Sequence, residues 1–545
     1  MNDSFASARS AGHLIVAQLE REGVQRVYGV PGESFLDVLD GLHESPIRTV
    51  ITRHEGGSGF MALTEGRLTD VPGVAMVTRG PGAANAFIAV HTAWQDATAM
   101  VLFVGLIPVA DRGREAFQEF DLTAWFGSTA KHVTTLDDPT SAARVVAEAM
   151  HIARSGRPGP VVIGLPEDVI RLSAGSATTV EPIRPRVPAA GAAAIAELVD
   201  RLERAARPLI VVGGEGWSGE TGQALADWAE AHAIPVASDF RAYSAVPHRS
   251  GAWIGSLGYG RGDGLAAALR EADLVIFVGV PRTDVLSDGY TLSLETETVL
   301  VLPSEPLGHA GRIDQLVLTD PAGLVAALPE SAPVADVARL RTLREQHMRF
   351  STPSPAEDAS PDYVDLDEVM AVLRDELTDD AVITYGAGNH AIWPARYLPH
   401  NSPASLAAPR NGAMGMGIPA AVAASLVFPG REVVSIAGDG CFQMNGQEFA
   451  TAIGYGATPI TIVVDNGVYA TIREHQENHY PGRPSGTDMV NPDFAALARA
   501  YGGHGETVVV TGEFRGAYRR ARESGIPAII HVLQDPTVRA PATAE

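Results

Sequence analysis

The stretch EVVSIAGDGCFQMNGQEFATAIGYGATPITIVVDN, residues 432–466, decides how the chain folds. Two short apolar runs, EVVSIA and PITIVV, flank a segment that carries Phe449, Ala452 and Ile453 at helical spacing, and glycines punctuate the joins. That is a βαβ unit, whose parallel strands bring their carboxyl ends to one edge of a sheet. The first strand runs into Gly438-Asp439-Gly440 and the second into Asp465-Asn466. Asp439 and Asn466 therefore converge where open α/β sheets place ligands. A carboxylate, an amide oxygen and a main-chain carbonyl of the next turn make an all-oxygen set suited to Mg²⁺, which keeps positions for water and phosphate oxygens. Gly438 and Gly440 let the main chain come close, and the amides around Cys441 and Phe442 suit an anion. The expectation is a magnesium-bridged diphosphate; a simple Asx turn is the reading for Gly-Asp-Gly taken alone.

Working outward, strand-like runs alternate with helix-patterned segments through all 545 residues, at 48–54, 73–78, 100–105, 160–165, 208–214, 272–280, 432–438, 459–466 and 528–533. Pro-, Ser- and Ala-rich breaks at 172–191 and 351–362 read as linkers. The fold class expected is α/β, with three doubly wound parallel-sheet domains at 1–172, 190–345 and 362–545, the first and third sharing a plan. Hydrophobic residues are 46% and charged residues 19%, which fits a globular chain. The formal charge of −24, with no Lys/Arg run, argues against a nucleic-acid or anionic-membrane surface. Cys441 is the one cysteine, so neither an intrachain disulfide nor a cysteine metal cluster is available. With no signal-peptide pattern and no long apolar window, a cytoplasmic protein is expected.

The Gly-Asp-Gly, 25 intervening residues and Asp465-Asn466 resemble the cofactor motif of the thiamine diphosphate enzymes, with Asp465 where the family has a first Asn. The resemblance spans the chain in the same three-domain order: pyrimidine-binding, middle and diphosphate-binding. It implies thiamine diphosphate and Mg²⁺ as cofactors, Asp439, Asn466 and the Val468 carbonyl as metal ligands, and Gly438, Gly440 and Cys441 beside the diphosphate. TRHEGGSGFMA (52–62) looks like the family's His-Glu segment, which makes Glu55 the carboxylate that holds the proton at the aminopyrimidine N1′. Read alone, Glu55 is an ordinary acid at a helix start. RNGAMGMGIPAA (410–421) carries Met414 as the wedge that supports the V-shaped cofactor and Gly412 as a carbonyl acceptor; gap-filling is the plain reading of a methionine. Asn389 and His390 in YGAGNHAIW are candidate diphosphate donors, while the glycines of RGPGAANA (79–86) look architectural.

Within the family the adjacent histidines of pyruvate decarboxylases are missing from EAFQEFD (115–121), Ile472 stands where they have a glutamate, and Thr78 lacks the histidine of benzoylformate decarboxylases. AFQE, with Phe117 and Gln118, and TAKH, with the only lysine, Lys131, resemble acetohydroxyacid synthases. The resemblance implies decarboxylation of a pyruvate-like 2-oxo acid and carboligation to a second carbonyl compound. Simple decarboxylation or C–C cleavage, and a flavin-dependent oxidase, are the alternatives. Phe117, Gln118, Ile472 and His475 would line the substrate pocket, Lys131 would attract a carboxylate or else serve packing, and Glu33 would relay protons. VPRTDVLSDGYTL (280–292) replaces the family's flavin-binding stretch, so tightly held FAD is not expected. A homodimer or homotetramer with active sites between subunits is implied, Glu55 of one subunit facing the diphosphate of another.

Overall fold

The computed structural model describes residues 10–214, 216–354 and 360–541. The part of the second linker at 355–359, Glu215 of the Gly-rich middle segment and the last residues, 542–545, lie outside them. Three six-stranded parallel sheets form, each covered by helices. The first runs, in spatial order, Arg48–Ile51, Arg26–Gly29, Gly73–Val77, Met100–Leu106, Pro160–Pro166, His132–Thr135. The third runs Leu406–Ala407, Val382–Tyr385, Val433–Gly438, Ile460–Asp465, Ala528–Leu533, His504–Val508. Numbered along the chain, both have the order 2-1-3-4-6-5. The first and third units thus share one topology, as their common plan of strand, glycine bend and helix implied. The middle sheet instead runs 3-2-1-4-5-6 from Trp253–Ser256 through Pro208–Val212 to Gln315–Leu318, the doubly wound order of many nucleotide-binding folds; topology alone assigns no ligand.

Strands such as Met100–Leu106 and Pro160–Pro166 are buried along their whole length, which explains why they read as continuous apolar runs rather than alternating ones. All nine of the runs picked out above contain a strand, and the 172–191 linker forms neither helix nor strand.

The chain divides into two compact units. One contains the first sheet together with 418–429 and 445–457. Tyr455 shows why the latter piece belongs there: its hydroxyl accepts the Ile51 amide at 2.7 Å and its carbonyl accepts Arg48 Nη2 at 2.7 Å. The other unit contains the middle and third sheets.

In both six-stranded sheets of shared topology the strand order reverses between the first and third strands. In open sheets of this kind the carboxyl edge at such a reversal is where ligands are placed. No helix among the described residues is long and apolar enough to cross a membrane.

Candidate active site

At the carboxyl edge of the third sheet, five strand ends deliver the predicted residues to one place. Val382–Tyr385 leads to Asn389 and His390, Leu406–Ala407 to Gly412 and Met414, Val433–Gly438 to Asp439, Gly440 and Cys441, and Ile460–Asp465 to Asn466 and Val468; the last strand, Ala528–Leu533, leads to Gln534. The fit is tight. A Cβ on Gly438 would lie 2.8 Å from His390 Nδ1, one on Gly386 would strike Cys441 Sγ, and the Gly415 amide donates to that sulfur at 3.2 Å. Cys441 is buried, which pushes its thiol pKa up. Gly412 is exposed and has φ of +72°, a conformation only glycine adopts freely, and Met414 is half-buried beside it.

Asp439 is the hub. Its Oδ1 accepts the Gly440 amide at 2.8 Å, while Oδ2 accepts the Gly467 amide at 2.9 Å and Asn491 Nδ2 at 2.7 Å. The same Asn491 nitrogen donates to Asp465 Oδ1 at 2.7 Å, and His531 Nε2 bonds Asp465 Oδ2 at 2.9 Å. Burial and the adjacent Asp465 charge raise the Asp439 pKa. Burial works against the Asp465 charge too, but hydrogen bonds from His531 and Asn491 outweigh it and hold that carboxyl below the usual range. Asn466 Oδ1 accepts the Val468 amide at 3.1 Å, closing an Asx turn that fixes the loop carrying the Val468 carbonyl.

Asn389 Nδ2 donates to Glu474 Oε2 at 3.0 Å and to the Arg539 carbonyl at 2.9 Å, and its Oδ1 accepts Thr471. These bonds tie it to the helix Ala470–His479 and to the C-terminal segment. On that helix Ile472 is 53% exposed and His475 is also exposed, so neither is walled into a pocket in this chain.

In the other unit, four loops meet the first turn of the helix Gly80–Asp96. Glu55 opens the helix Glu55–Leu68, and its Oε2 accepts Asn85 Nδ2 at 2.9 Å. Gln118, at φ of +66°, accepts the Gly80 amide through its carbonyl at 3.3 Å, with Phe117 beside it 76% exposed. Glu33 accepts Arg79 Nη1 at 3.3 Å, and Arg79 also pairs with Glu167. Gly82 sits close under its neighbours, since a Cβ there would lie 3.1 Å from Thr78 Cγ2 and in contact with Glu55 Oε1. Lys131 is not in this group. It precedes the strand His132–Thr135 at the amino edge of the same sheet, opposite to Glu55, and its Nζ is bonded to the Ser155 carbonyl. Burial, with Arg157 nearby, lowers its pKa to about 8.

Comparison with known proteins bears on this arrangement directly. Residues 9–125 match the N-terminal TPP binding domain of thiamine pyrophosphate enzymes, 195–321 the central domain, and 386–532 the C-terminal TPP binding domain. The acetolactate synthase large subunit of Parasynechococcus marenigrum is 32% identical, over 96% of this chain and 87% of its own length. The isozyme 2 large subunit of Escherichia coli is 30% identical, over 96% of this chain and 95% of its own length. The chain belongs to the thiamine pyrophosphate enzyme family.

As a thiamine-pyrophosphate-dependent enzyme, it can be tested for fit to the cofactor. Buried His390 Nε2 has no hydrogen-bond partner, and burial, helped by Arg241, lowers its pKa to about 3, so a neutral imidazole stands beside Gly438 with one nitrogen unused. No cluster of three or more His, Cys, Asp or Glu side chains able to hold a metal occurs among the described residues. A site made from one carboxylate, one amide and a carbonyl contains no such cluster, and its hard oxygens suit Mg²⁺. The residues fit the group. Three contributors escaped the sequence reading. Asn491 and His531 are polar residues far along the chain with no motif around them. Buried Glu448 accepts the Arg53 amide at 3.0 Å and Thr451 Oγ1 at 2.6 Å, fixing the loop just before Glu55. Its one available signal was an acid within an otherwise apolar helical run, QEFATAI.

Proposed function

We propose that this protein decarboxylates a pyruvate-like 2-oxo acid and joins the remaining acyl unit to a second carbonyl compound, with acetolactate formation from two pyruvates as the leading case. The observation that carries the proposal is the convergence of Asp439, Asn466 and His390 on the carboxyl edge of a sheet that matches the family's TPP binding domain. Similarity to acetolactate synthases over nearly the whole chain supports the carboligation.

Thiamine diphosphate, when bound, supplies the carbon nucleophile and the electron sink for loss of CO₂. Asp439, Asn466 and the Val468 carbonyl hold Mg²⁺ against its diphosphate, with His390 Nε2 as a neutral donor and the glycine pair 438 and 440 giving the phosphates room. Glu55 holds a proton at the aminopyrimidine N1′, oriented by Asn85. Met414 and the Gly412 carbonyl support the ring system. Glu33, bonded to Arg79, is the residue proposed to relay a proton. Phe117, Gln118, Ile472 and His475 are the residues proposed to meet substrate. The domains at 1–172, 190–345 and 362–545 act as pyrimidine-binding, middle and diphosphate-binding parts of a homodimer or homotetramer.

The test is incubation of the magnesium- and cofactor-loaded protein with a panel of 2-oxo acids, with and without aldehydes, followed by product identification. Acetolactate or a related 2-hydroxy-ketone product supports the proposal. Free aldehyde with no ligated product overturns carboligation in favour of a simple decarboxylase. A visible flavin band in the purified protein redirects the assignment to a 2-oxo acid oxidase.

A further inference from the structure

A cavity of about 830 Å³ in the unit containing the middle and third sheets lies away from the residues discussed so far and is lined by many cationic side chains. The strand Trp253–Ser256, the last turns of the helix Val337–Phe350 and residues 395–401 form its walls. Six arginines line it, and for five of them, Arg249, Arg344, Arg349, Arg374 and Arg396, no hydrogen-bond partner among the described residues is charged. Arg344 donates to the Trp253 and His248 carbonyls, both at 2.8 Å, Arg374 to the Tyr397 carbonyl at 2.9 Å, Arg396 Nε to the Phe350 carbonyl at 2.7 Å, and Arg249 to Gln223 at 3.3 Å. The Arg349 side chain bonds nothing among the described residues, and none of the five makes an ion pair with a carboxylate there.

Acidic residues outnumber Lys and Arg by 65 to 41, and many arginines pair with them, as Arg515, Arg519 and Arg522 do with Glu376; single arginines such as Arg157, Arg282 and Arg339 bond neutral groups instead, but the cavity gathers five of that kind in one place. Even the sixth arginine of the cavity, Arg261, is neutralised by Asp263 and Asp288. Binding main-chain carbonyls explains one or two donors of Arg344, Arg374 and Arg396. It leaves those three without a directly paired carboxylate among the described residues, Glu230, Asp375 and Asp367 acting on them only through space, in a partly desolvated region where like charges repel more strongly than in water. His347, in the same wall, responds to this surplus; burial and then Arg344 and Arg374 lower its pKa to about 3. The Arg396 guanidinium lies over the Phe350 and Tyr397 rings with no acceptor for its terminal nitrogens among the described residues, and guanidinium forks match the oxygens of phosphate or carboxylate groups.

We propose that this cavity is a binding site for a small polyanion, a molecule that carries two or more phosphate or carboxylate groups, separate from the thiamine diphosphate site. The volume is within the range of ordinary small-molecule sites.

The protein loaded with thiamine diphosphate is titrated calorimetrically at fixed free magnesium with pyrophosphate in one arm and citrate in the other. One saturable site per chain is expected; the stronger arm identifies phosphate or carboxylate as the preferred group. Arg249 and Arg349 bridge no structural carbonyls through their side chains, so the double variant Arg249→Gln/Arg349→Gln retains the fold. It should weaken binding by about tenfold or more through the loss of two charge-assisted contacts. Arg270→Gln, an exposed change outside the cavity, should leave binding as it was. The proposal is overturned if neither probe saturates, if the double variant binds as the unchanged protein does, or if Arg270→Gln weakens binding equally.

Discussion

Asp465 stands beside Asp439 with one amide nitrogen, that of Asn491, shared between the two carboxylates. The family motif has an Asn there, so this chain adds a negative charge next to its expected magnesium ligand. Burial and the Asp465 charge raise the Asp439 pKa to about 6, so below that pH it carries a proton that a divalent cation must displace. Magnesium affinity should therefore rise with pH through about 6 and level off above it. In Asp465→Asn the neighbouring charge is gone, and the pH midpoint should move down by about one unit. Magnesium titrations followed by calorimetry at several pH values check both; an unmoved midpoint would show that burial alone sets the Asp439 value. Glu55→Gln is expected to lower turnover by about 10² to 10⁴ while leaving diphosphate binding intact, because it removes the proton held by a carboxylate and no phosphate contact. Retained full activity would sink that role. Lys131→Gln should reduce thermal stability with little change in KM for the 2-oxo acid, since its ammonium satisfies a helix-end carbonyl at the far edge of the sheet.

At the scale of elements, the helix Glu55–Leu68 depends on closeness. A Cβ on Gly59 would lie 2.5 Å from Ala89 Cβ, and one on Gly57 would strike Glu448. The glycines that give EGGSG poor helix propensity are required by what packs on them. Glu448 then accepts the Arg53 amide through both carboxylate oxygens. Glu448→Ala should cost about 2 to 3 kcal/mol in denaturant unfolding by leaving buried donors unpaired. It should also impair turnover, as the loop before Glu55 loosens, and an unaltered midpoint would mean water replaces the carboxylate. Here the limits of sequence reading have a physical cause. The 432–466 unit was legible because its chemistry is local: two buried strands, a glycine pair and a fixed offset from Asp439 to Asn466. Asn491, His531 and Glu448 act through contacts between segments distant in sequence, and nothing in their own neighbourhoods marks them. The bond from the Asn389 amide to the Arg539 carbonyl is of the same kind, because no local pattern announces the return of the C-terminal segment to this edge.

Across the whole molecule, the acidic chain buries cationic groups in the unit of the middle and third sheets, and this sets how it should respond to acid. Burial is the leading cause that keeps His347 and His390 at about 3, His309 at about 4, and His248 well below its ordinary value. Each folded-state value lies below the unfolded value of 6.5, so the folded chain binds fewer protons than the unfolded chain in that interval. Their contribution to stability is complete above 6.5 and is lost as pH falls toward 3 or 4. Raised carboxylates such as Glu448 act in the opposite sense at mildly acid pH, so the raw stability profile mixes the two. Comparing the native chain with His347→Gln separates them, because every other group is common to both. The native chain's stability relative to the variant should be constant above 6.5 and then fall by up to about 1.4 kcal/mol per pH unit as the unfolded histidine takes its proton. Denaturant unfolding from pH 8 down to pH ~4.5 reads this difference directly. A difference that stays flat across the interval would mean that His347 is protonated in the folded chain. It would remove the buried, arginine-dominated environment inferred for that wall of the cavity.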